Sequence, residues 1–152
     1  MQVPDKRYCF DRFISESTIA EVLDDYYNER HDSTSHKLKS VIEHRAMTAV
    51  NEPRLFWDNK GDEHRPGNDI SRMVQRLRSS INEYEQYKQN SEYLDVHNYQ
   101  FTPSSLRDIV IFLAELNLID FEVHRVYETV HNALEFSIVL KNVKCRNFTH
   151  AS

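Results

Sequence analysis

The chain has 152 residues, 28% of them charged, and a formal net charge of -5. This length suits one domain with a hydrophobic core, and the acidic balance gives no general attraction to nucleic acid or to anionic membranes. No segment approaches the ~18 consecutive apolar residues of a membrane helix, and the polar N-terminal segment lacks the pattern of a secretory signal. We therefore expect a cytoplasmic protein with neither nucleic-acid nor membrane partners.

Glycine is unusually scarce in this sequence. The 2 glycines, Gly61 and Gly67, both lie in the polar segment 58–69, whereas average usage is roughly 7%. Dinucleotide-type cofactor loops use several glycines between a strand and a helix, because the backbone approaches the ligand closely. The sequence therefore predicts no self-contained cofactor site of that type. Cys9 and Cys145 lie far apart without CxxC spacing, which indicates neither a disulfide framework nor a zinc site.

The first predicted elements are a strand end and a helix. The apolar stub Val3-Pro4 is interpreted as the last residues of a β-strand whose body would lie upstream of the chain. Thr18 and Glu21 fit a capping box, and apolar residues at helical spacing follow, which predicts a first helix to about Arg30.

Two more helices and a loop are predicted in the middle of the chain. The second helix is predicted over residues 35–50, and 51–68 have the composition of a loop whose apolar centre, 55–57, is expected to pin it to the core. The third helix is expected to begin at Asn68 or Asp69. Its apolar residues recur at spacings of three and four: Ile70, Met73, Val74, Leu77, Ile81 and Tyr84.

The C-terminal third predicts a helix followed by a β-hairpin. Thr102 fits an N-cap with Pro103 as the first helical residue. The buried face of this fourth helix is predicted to consist of Leu106, Ile109, Val110, Leu113 and Leu116. The segment from Phe121 and the alternating segment 134–140 then predict two antiparallel strands, with Asn132 in a left-handed turn position. The expected organisation is one domain over 1–141 and a polar tail over 142–152.

Three segments carry a resemblance to a known family. Residues 3–11 (VPDKRYCFD) resemble the segment after the fifth sheet strand in a group of bacterial class I S-adenosylmethionine-dependent methyltransferases, and 17–23 resemble the helix that follows it there. The segment 97–106 is similar to the family's "H-x-W-x-FTP" start of its last helix, with Tyr99 in place of the tryptophan. Residues 134–140 are similar to its final strand, so the resemblance covers about residues 2–141.

The resemblance implies the substrate-side half of a methyltransferase. The fold would be α/β: a partial class I methyltransferase-like (Rossmann-like) sheet with a C-terminal antiparallel hairpin and three to four helices. The family's glycine-rich cofactor loop lies upstream of the fifth strand. S-adenosylmethionine is therefore implied as the cofactor of a complete parent enzyme, and we do not expect it to bind this chain alone. A small-molecule or sugar acceptor is the partner that the resemblance implies, and this chain would be inactive alone.

The alternative is a non-catalytic binding or interaction domain that associates with a cofactor-binding partner. A half-sheet lacking its central strands would expose an edge where further strands pair, which favours association. We therefore expect a homodimer, pairing through this edge, or helices rearranged to cover the gap.

The polar residues of the first motif are candidate substrate-binding residues. Ligands of open α/β sheets lie outside the carboxyl ends of the strands, and Asp5, Lys6, Arg7 and Tyr8 would leave such an end. In the alternative interpretation, the Asp and the Arg pair with each other and shape a turn. Cys9 lies in the same motif, either with a depressed thiol pKa or, as is more common, buried as a small hydrophobe.

His97 is the candidate catalytic residue. It lies just before a helix N-terminus near the expected mouth of the pocket, where a histidine can act as an acid or a base. In the alternative interpretation it hydrogen-bonds the backbone near the helix cap. Tyr99 is a candidate substrate-binding residue as an aromatic wall of the pocket.

Other polar residues are interpreted as solvated or structural. No third ligand has helical spacing with His36 and His44, so we predict surface histidines and no metal site. We interpret His124 and His131 beside the hairpin as solvated, and the arginines of the third helix as a solvated charged face. Ser104 and Ser105 lack the Gly-x-Ser-x-Gly context of a hydrolase nucleophile. The arginines of the third helix that we interpret as solvated are Arg72, Arg76 and Arg78.

Overall fold

A computed structural model describes residues 1–28, 38–47, 57, 69–90, 94 and 96–143. Within these residues the protein is α/β, with four α-helices and one three-stranded antiparallel sheet. The elements in chain order are β1 (Gln2–Pro4), a short 3-10 helix (Phe10–Phe13), α1 (Ile19–Tyr27), α2 (Leu38–Met47), α3 (Ile70–Asn90), α4 (Pro103–Glu115), β2 (Phe121–Tyr127) and β3 (Glu135–Asn142).

The sheet has the strand order β1-β3-β2, so the last strand lies in the middle. The predicted hairpin is confirmed: β2 and β3 pair antiparallel, with an irregularity between Val123 and Arg125. Asn132 has φ 65°, the left-handed conformation predicted for the turn. The stub at Val3-Pro4 is also confirmed as a strand, because β1 pairs antiparallel with β3.

The main core lies between α4 and one face of the sheet. Side chains alternate between the two faces of a strand, so Phe136 and Ile138 of β3 point to the same side and are fully buried. Leu106 and Val110, one helical turn apart on α4, cover them. Burial of each such side chain stabilises the fold by about 1.5–3 kcal/mol.

A second cluster joins the helical part of the chain. Val41 of α2 packs with Leu94 and Val96, and Tyr84 and Tyr87 of α3 contact the same cluster. Leu94 and Val96 thus connect this cluster to the segment that carries His97.

The helix starts follow the predicted capping patterns. The Thr18 side chain accepts a hydrogen bond from Glu21 N, and the Glu21 side chain accepts one from Thr18 N. Thr102 caps α4 in the same way with Ser105, and Pro103 follows at the first turn. The Asp69 side chain accepts a hydrogen bond from Ser71 N at the start of α3. Each cap satisfies backbone N–H groups that have no partner within the helix.

The structure differs from the predicted pattern at several apolar positions. Leu116 is 54% exposed, because it lies at the C-cap of α4, beyond the residues that face the sheet. The predicted buried face of α4 is therefore wrong at Leu116. On α3, Ile70, Val74 and Ile81 are exposed. Helical spacing predicted the helix correctly, but not which of its sides is covered.

Several predictions concern residues outside the described ranges. They concern the ends of the second predicted helix, the extension of the first helix to Arg30, most of the loop 51–68 and the tail from 144 onward. Trp57 is an exception: its indole Nε1 donates a hydrogen bond to Ala133 O at 3.0 Å, which ties it to the turn between β2 and β3 and not to either core cluster. Among the helices that the structure describes, none combines the length and apolar character needed to cross a membrane.

Candidate functional site

The first motif makes a buried turn at the end of β1. Asp5 is 0% exposed, and its carboxylate accepts hydrogen bonds from Arg7 N at 3.0 Å, from the Arg7 guanidinium at 2.7 Å and from the Thr129 hydroxyl at 2.6 Å. Arg7 also pairs with Glu128 at 3.0 Å. The hydrogen bonds to Asp5 raise the pKa of Arg7 above its usual value. The alternative interpretation, in which Asp5 and Arg7 pair and shape a turn, describes this geometry.

Lys6 and Tyr8 point to other neighbours. Lys6 is half-buried and its ammonium donates a hydrogen bond to Arg12 O at 3.1 Å. Burial lowers the pKa of Lys6. The Tyr8 ring is stacked on Trp57, with the ring centres 3.7 Å apart. Contact of these two side chains with a substrate stays a prediction.

Asp11 and His97 form an acid–base pair in which Asp11 is buried and His97 is partly exposed. The 3-10 helix turns Asp11 inward, where it is 1% exposed. His97 Nδ1 lies 2.6 Å from Asp11 Oδ2, although the residues are 86 positions apart along the chain. His97 thus contacts a carboxylate, a partner that neither sequence interpretation anticipated. The His97 side chain is 31% exposed.

A second histidine lies on the other side of Asp11. His44 is buried, so its interpretation as a surface histidine is wrong. The error has a simple cause: His44 lies three residues after the fully buried Val41 and shares its helix face. His44 Nε2 is 3.9 Å from Asp11 Oδ1, and the Phe10 ring lies 4.8 Å from both imidazoles. Asp11 is therefore enclosed by two imidazoles and an aromatic ring.

The bond between Arg45 and His44 defines the tautomer of His44. Arg45 NH1 lies 3.2 Å from His44 Nδ1. A guanidinium only donates hydrogen bonds, so Nδ1 accepts and the proton of neutral His44 resides on Nε2, facing Asp11. Among the described residues, no group of three His, Cys, Asp or Glu side chains has the geometry of a metal site.

Cys9 is a buried apolar residue. Its side chain is fully enclosed, and burial raises the pKa of the thiol to about 12. The interpretation as a small buried hydrophobe is confirmed, and the possibility of a depressed pKa is wrong. The neighbouring Lys6 lowers the thiol pKa, but less than burial raises it.

Tyr99 is positioned by a second buried carboxylate. Its hydroxyl donates a hydrogen bond to Asp25 Oδ2 at 2.5 Å, and its ring is stacked on Phe101. Asp25 belongs to α1, so this bond ties the helix to the segment that follows His97. A role of Tyr99 as a pocket wall stays a prediction.

Backbone contacts join the two motif segments directly. Lys6 N donates to Phe101 O at 3.0 Å, next to an isolated parallel bridge between Asp5 and Phe101. Ser17 N donates to Gln100 O at 2.9 Å, and Gln100 N donates back to the Ser17 hydroxyl at 3.0 Å. The segments around residues 3–17 and 97–101 therefore form one unit, with His97 and Asp11 at its centre.

The remaining polar candidates lie elsewhere. His124 and His131 are exposed, as predicted. The arginines of α3 are exposed too, and Ser105 takes part in the α4 cap. His36 lies outside the described residues.

Sequence reasoning missed Asp11, His44, Asp25 and Thr129. Asp11 closes the first motif and His44 shares a helix face with Val41, so signals existed for both. Asp25 and Thr129 carry no local signal, because their partners lie 74 and 124 positions away.

No protein-family model, curated protein or solved structure matches this chain. The resemblance to methyltransferases thus rests on the sequence motifs alone. None of the described residues is a glycine, and the expectation that S-adenosylmethionine does not bind this chain alone stays a prediction.

Proposed function

We propose that the chain is the substrate-side portion of a class I methyltransferase, with His97 as the base that takes the proton of the methyl acceptor. The observation that carries the proposal is the Asp11–His97 contact of 2.6 Å. It joins two segments that the family resemblance identifies independently. Motifs that matched by chance would have no reason to meet in one buried site.

The pair has the composition of an oriented general base. Asp11 accepts from His97 Nδ1, which fixes the ring orientation and stabilises the imidazolium that forms when the ring is protonated. The other ring nitrogen, Nε2, is then the atom that accepts the acceptor's proton. The partial exposure of His97 allows a small hydroxyl or amine substrate to reach it. A sugar or another small molecule is the acceptor class that we propose.

The edge of the sheet supports a larger parent fold. Asp5 N donates toward β3, to Leu134 O, whereas Lys6 N donates in the opposite direction, to Phe101 O. By the alternation of a β-strand, the peptide groups of Gln2 also point away from β3. Further strands of a methyltransferase sheet would pair at this edge, and the cofactor would bind to that portion or to a partner.

Two measurements test the proposal. A parent protein that combines this chain with a cofactor-binding portion should transfer a labelled methyl group from S-adenosylmethionine to small molecules of a cell extract. His97→Asn should lower the rate about 10²- to 10⁴-fold, which is the usual contribution of a general base. His124→Asn is the matched control, because His124 is exposed on the hairpin, and its rate should be unchanged.

Calorimetry with S-adenosylmethionine and the chain alone is the second measurement. We expect no binding, and micromolar affinity would contradict the proposal. Equal rates for His97→Asn and His124→Asn would contradict the role of His97. A parent protein without methyl transfer that still assembles with a partner would favour the interaction domain instead. The exposed apolar side chains of α3, Ile70 and Ile81 among them, are the feature that favours this second function.

A further inference from the structure

An open cleft lined by polar side chains lies between α2 and α3, and the acid–base site does not use it. Its volume is about 480 Å³, within the range of small-molecule sites. It is lined by Arg45 of α2 and by Arg72, Gln75, Arg76, Ser79 and Glu83 of α3. We propose that this cleft binds the phosphate group of a small phosphorylated molecule.

The charge of the cleft favours an anion. Its lining holds three arginines and one glutamate, and Asp69 pairs with Arg72, so the net charge is +1 (3 − 2), although the whole chain carries -5. A phosphate monoester has a charge of about -1.5 to -2 at pH 7. The phosphate group therefore supplies the negative charge that the cleft lacks, which a neutral sugar does not.

The arrangement of the arginines suits phosphate oxygens. Arg72 and Arg76 lie one helical turn apart on the same side of α3, and Arg45 approaches from the opposite helix. Guanidinium groups bind phosphate through two parallel hydrogen bonds, and several such groups can surround one phosphate. The Gln75 amide and the Ser79 hydroxyl add neutral hydrogen-bond donors on the same wall.

Arg45 is already held in position for this role. Its Nε and NH2 donate to the two carboxylate oxygens of Glu83 at 2.9 and 2.7 Å. The hydrogen bond from Arg45 lowers the pKa of Glu83. A side chain fixed in this way loses little rotational freedom when a ligand binds.

The sequence did not predict that a residue of α2 faces the arginines of α3. From the sequence, the arginines of α3 form a solvated charged face. In the structure, Arg45 of α2 stands opposite them and converts the face into a cleft. Arg72 is paired with Asp69 at 3.6 Å with its side chain 83% exposed, so a phosphate has only a weak competitor there.

Binding to the full chain tests the proposal, measured by calorimetry and by NMR of the backbone amides. The probes are inorganic phosphate, glucose 6-phosphate and, as the matched control, glucose. Both phosphates should bind and shift the amides of α3 around Arg72 and Arg76, and glucose should do neither. The double variant Arg72→Gln/Arg76→Gln should weaken phosphate binding about tenfold or more, since 1.4 kcal/mol is a factor of ten.

Arg78→Gln is the control variant, because Arg78 belongs to the same helix but does not line the cleft. Its phosphate affinity should change less than twofold. Arg45→Lys keeps the charge but loses the two hydrogen bonds to Glu83 that hold the side chain in position, and it should also weaken binding. Thermal unfolding of each variant verifies that it is folded, as expected for the exposed Arg72 and Arg76.

Three results would overturn the proposal. The first is no binding of either phosphate at millimolar concentration. The second is equal weakening by Arg78→Gln and by the double variant, which would indicate general charge attraction. The third is tighter binding of a single-stranded oligonucleotide than of the sugar phosphate, with a steep salt dependence. His97 takes no part in this site, so each of these results leaves the acid–base proposal standing.

Discussion

Replacing Asp5 by Asn tests whether the first motif is held together by its buried carboxylate. The substitution keeps the size and shape of the side chain and removes its charge. Asp5 is fully buried and accepts hydrogen bonds from the Arg7 backbone, the Arg7 guanidinium and the Thr129 hydroxyl. An asparagine presents an NH2 group to one of these donors, so at least one hydrogen bond is replaced by a donor–donor contact.

The expected loss is worked from two contributions. A hydrogen bond to a charged group contributes about 1.5–3 kcal/mol to stability. We assign about 2 kcal/mol to the buried bond from the Thr129 hydroxyl to Asp5. The pair with Arg7 is assigned about 1 kcal/mol, since the Arg7 side chain is 39% exposed and solvent screens it. Asp5→Asn should therefore lower the free energy of unfolding by about 3 kcal/mol.

Urea unfolding measures this loss, and the single tryptophan, Trp57, provides a fluorescence probe because it is stacked on Tyr8 beside the turn. Asp108→Asn is the matched control: Asp108 pairs with Arg107 at 2.8 Å, but both side chains are about half exposed, at 49% and 51%. The control should cost less than about 0.5 kcal/mol. A loss at Asp5 below about 1 kcal/mol, or equal to that of the control, would refute the reasoning.

Two further predictions concern the stability of the same fold. Thr102→Ala should lower the free energy of unfolding by about 1 kcal/mol through loss of the α4 cap, and urea unfolding without such a shift would contradict the role of the cap. Cys9 has a pKa raised from 9.0 to about 12, so its contribution to stability is complete below pH 9 and is lost as the pH rises toward 12. Stability should therefore fall by about 1 kcal/mol between pH 8 and 10 from this thiol. Cys9→Ser should show a smaller fall, and equal pH profiles would count against a buried thiol.

The features that the sequence predicted correctly depend on neighbours along the chain. The caps at Thr18 and Thr102 need only a partner three residues later. The turn at Asn132 requires a residue that tolerates positive φ, and the alternation around Phe136 identifies the strand. In each case the physical cause lies within a few residues, so a single sequence contains it.

The candidate site depended on contacts between distant segments. His97 was identified from its motif, but its partner Asp11 and the second imidazole, His44, come from two other elements, the 3-10 helix and α2. No local pattern determines which side of α3 is covered, and Ile70 is 78% exposed despite its helical spacing. Periodicity defines a helix face, whereas the packing of other elements decides whether that face is buried.

Arg45 connects the acid–base site with the cleft between the helices. Its guanidinium donates to Glu83 on one side and to His44 Nδ1 on the other. Because Arg45 can only donate, His44 directs its Nε2–H toward Asp11, whose other oxygen contacts His97. Arg45 also lines the cleft in the position that these bonds give it. The two proposed sites thus share one guanidinium, which holds His44 on one side and faces the cleft on the other.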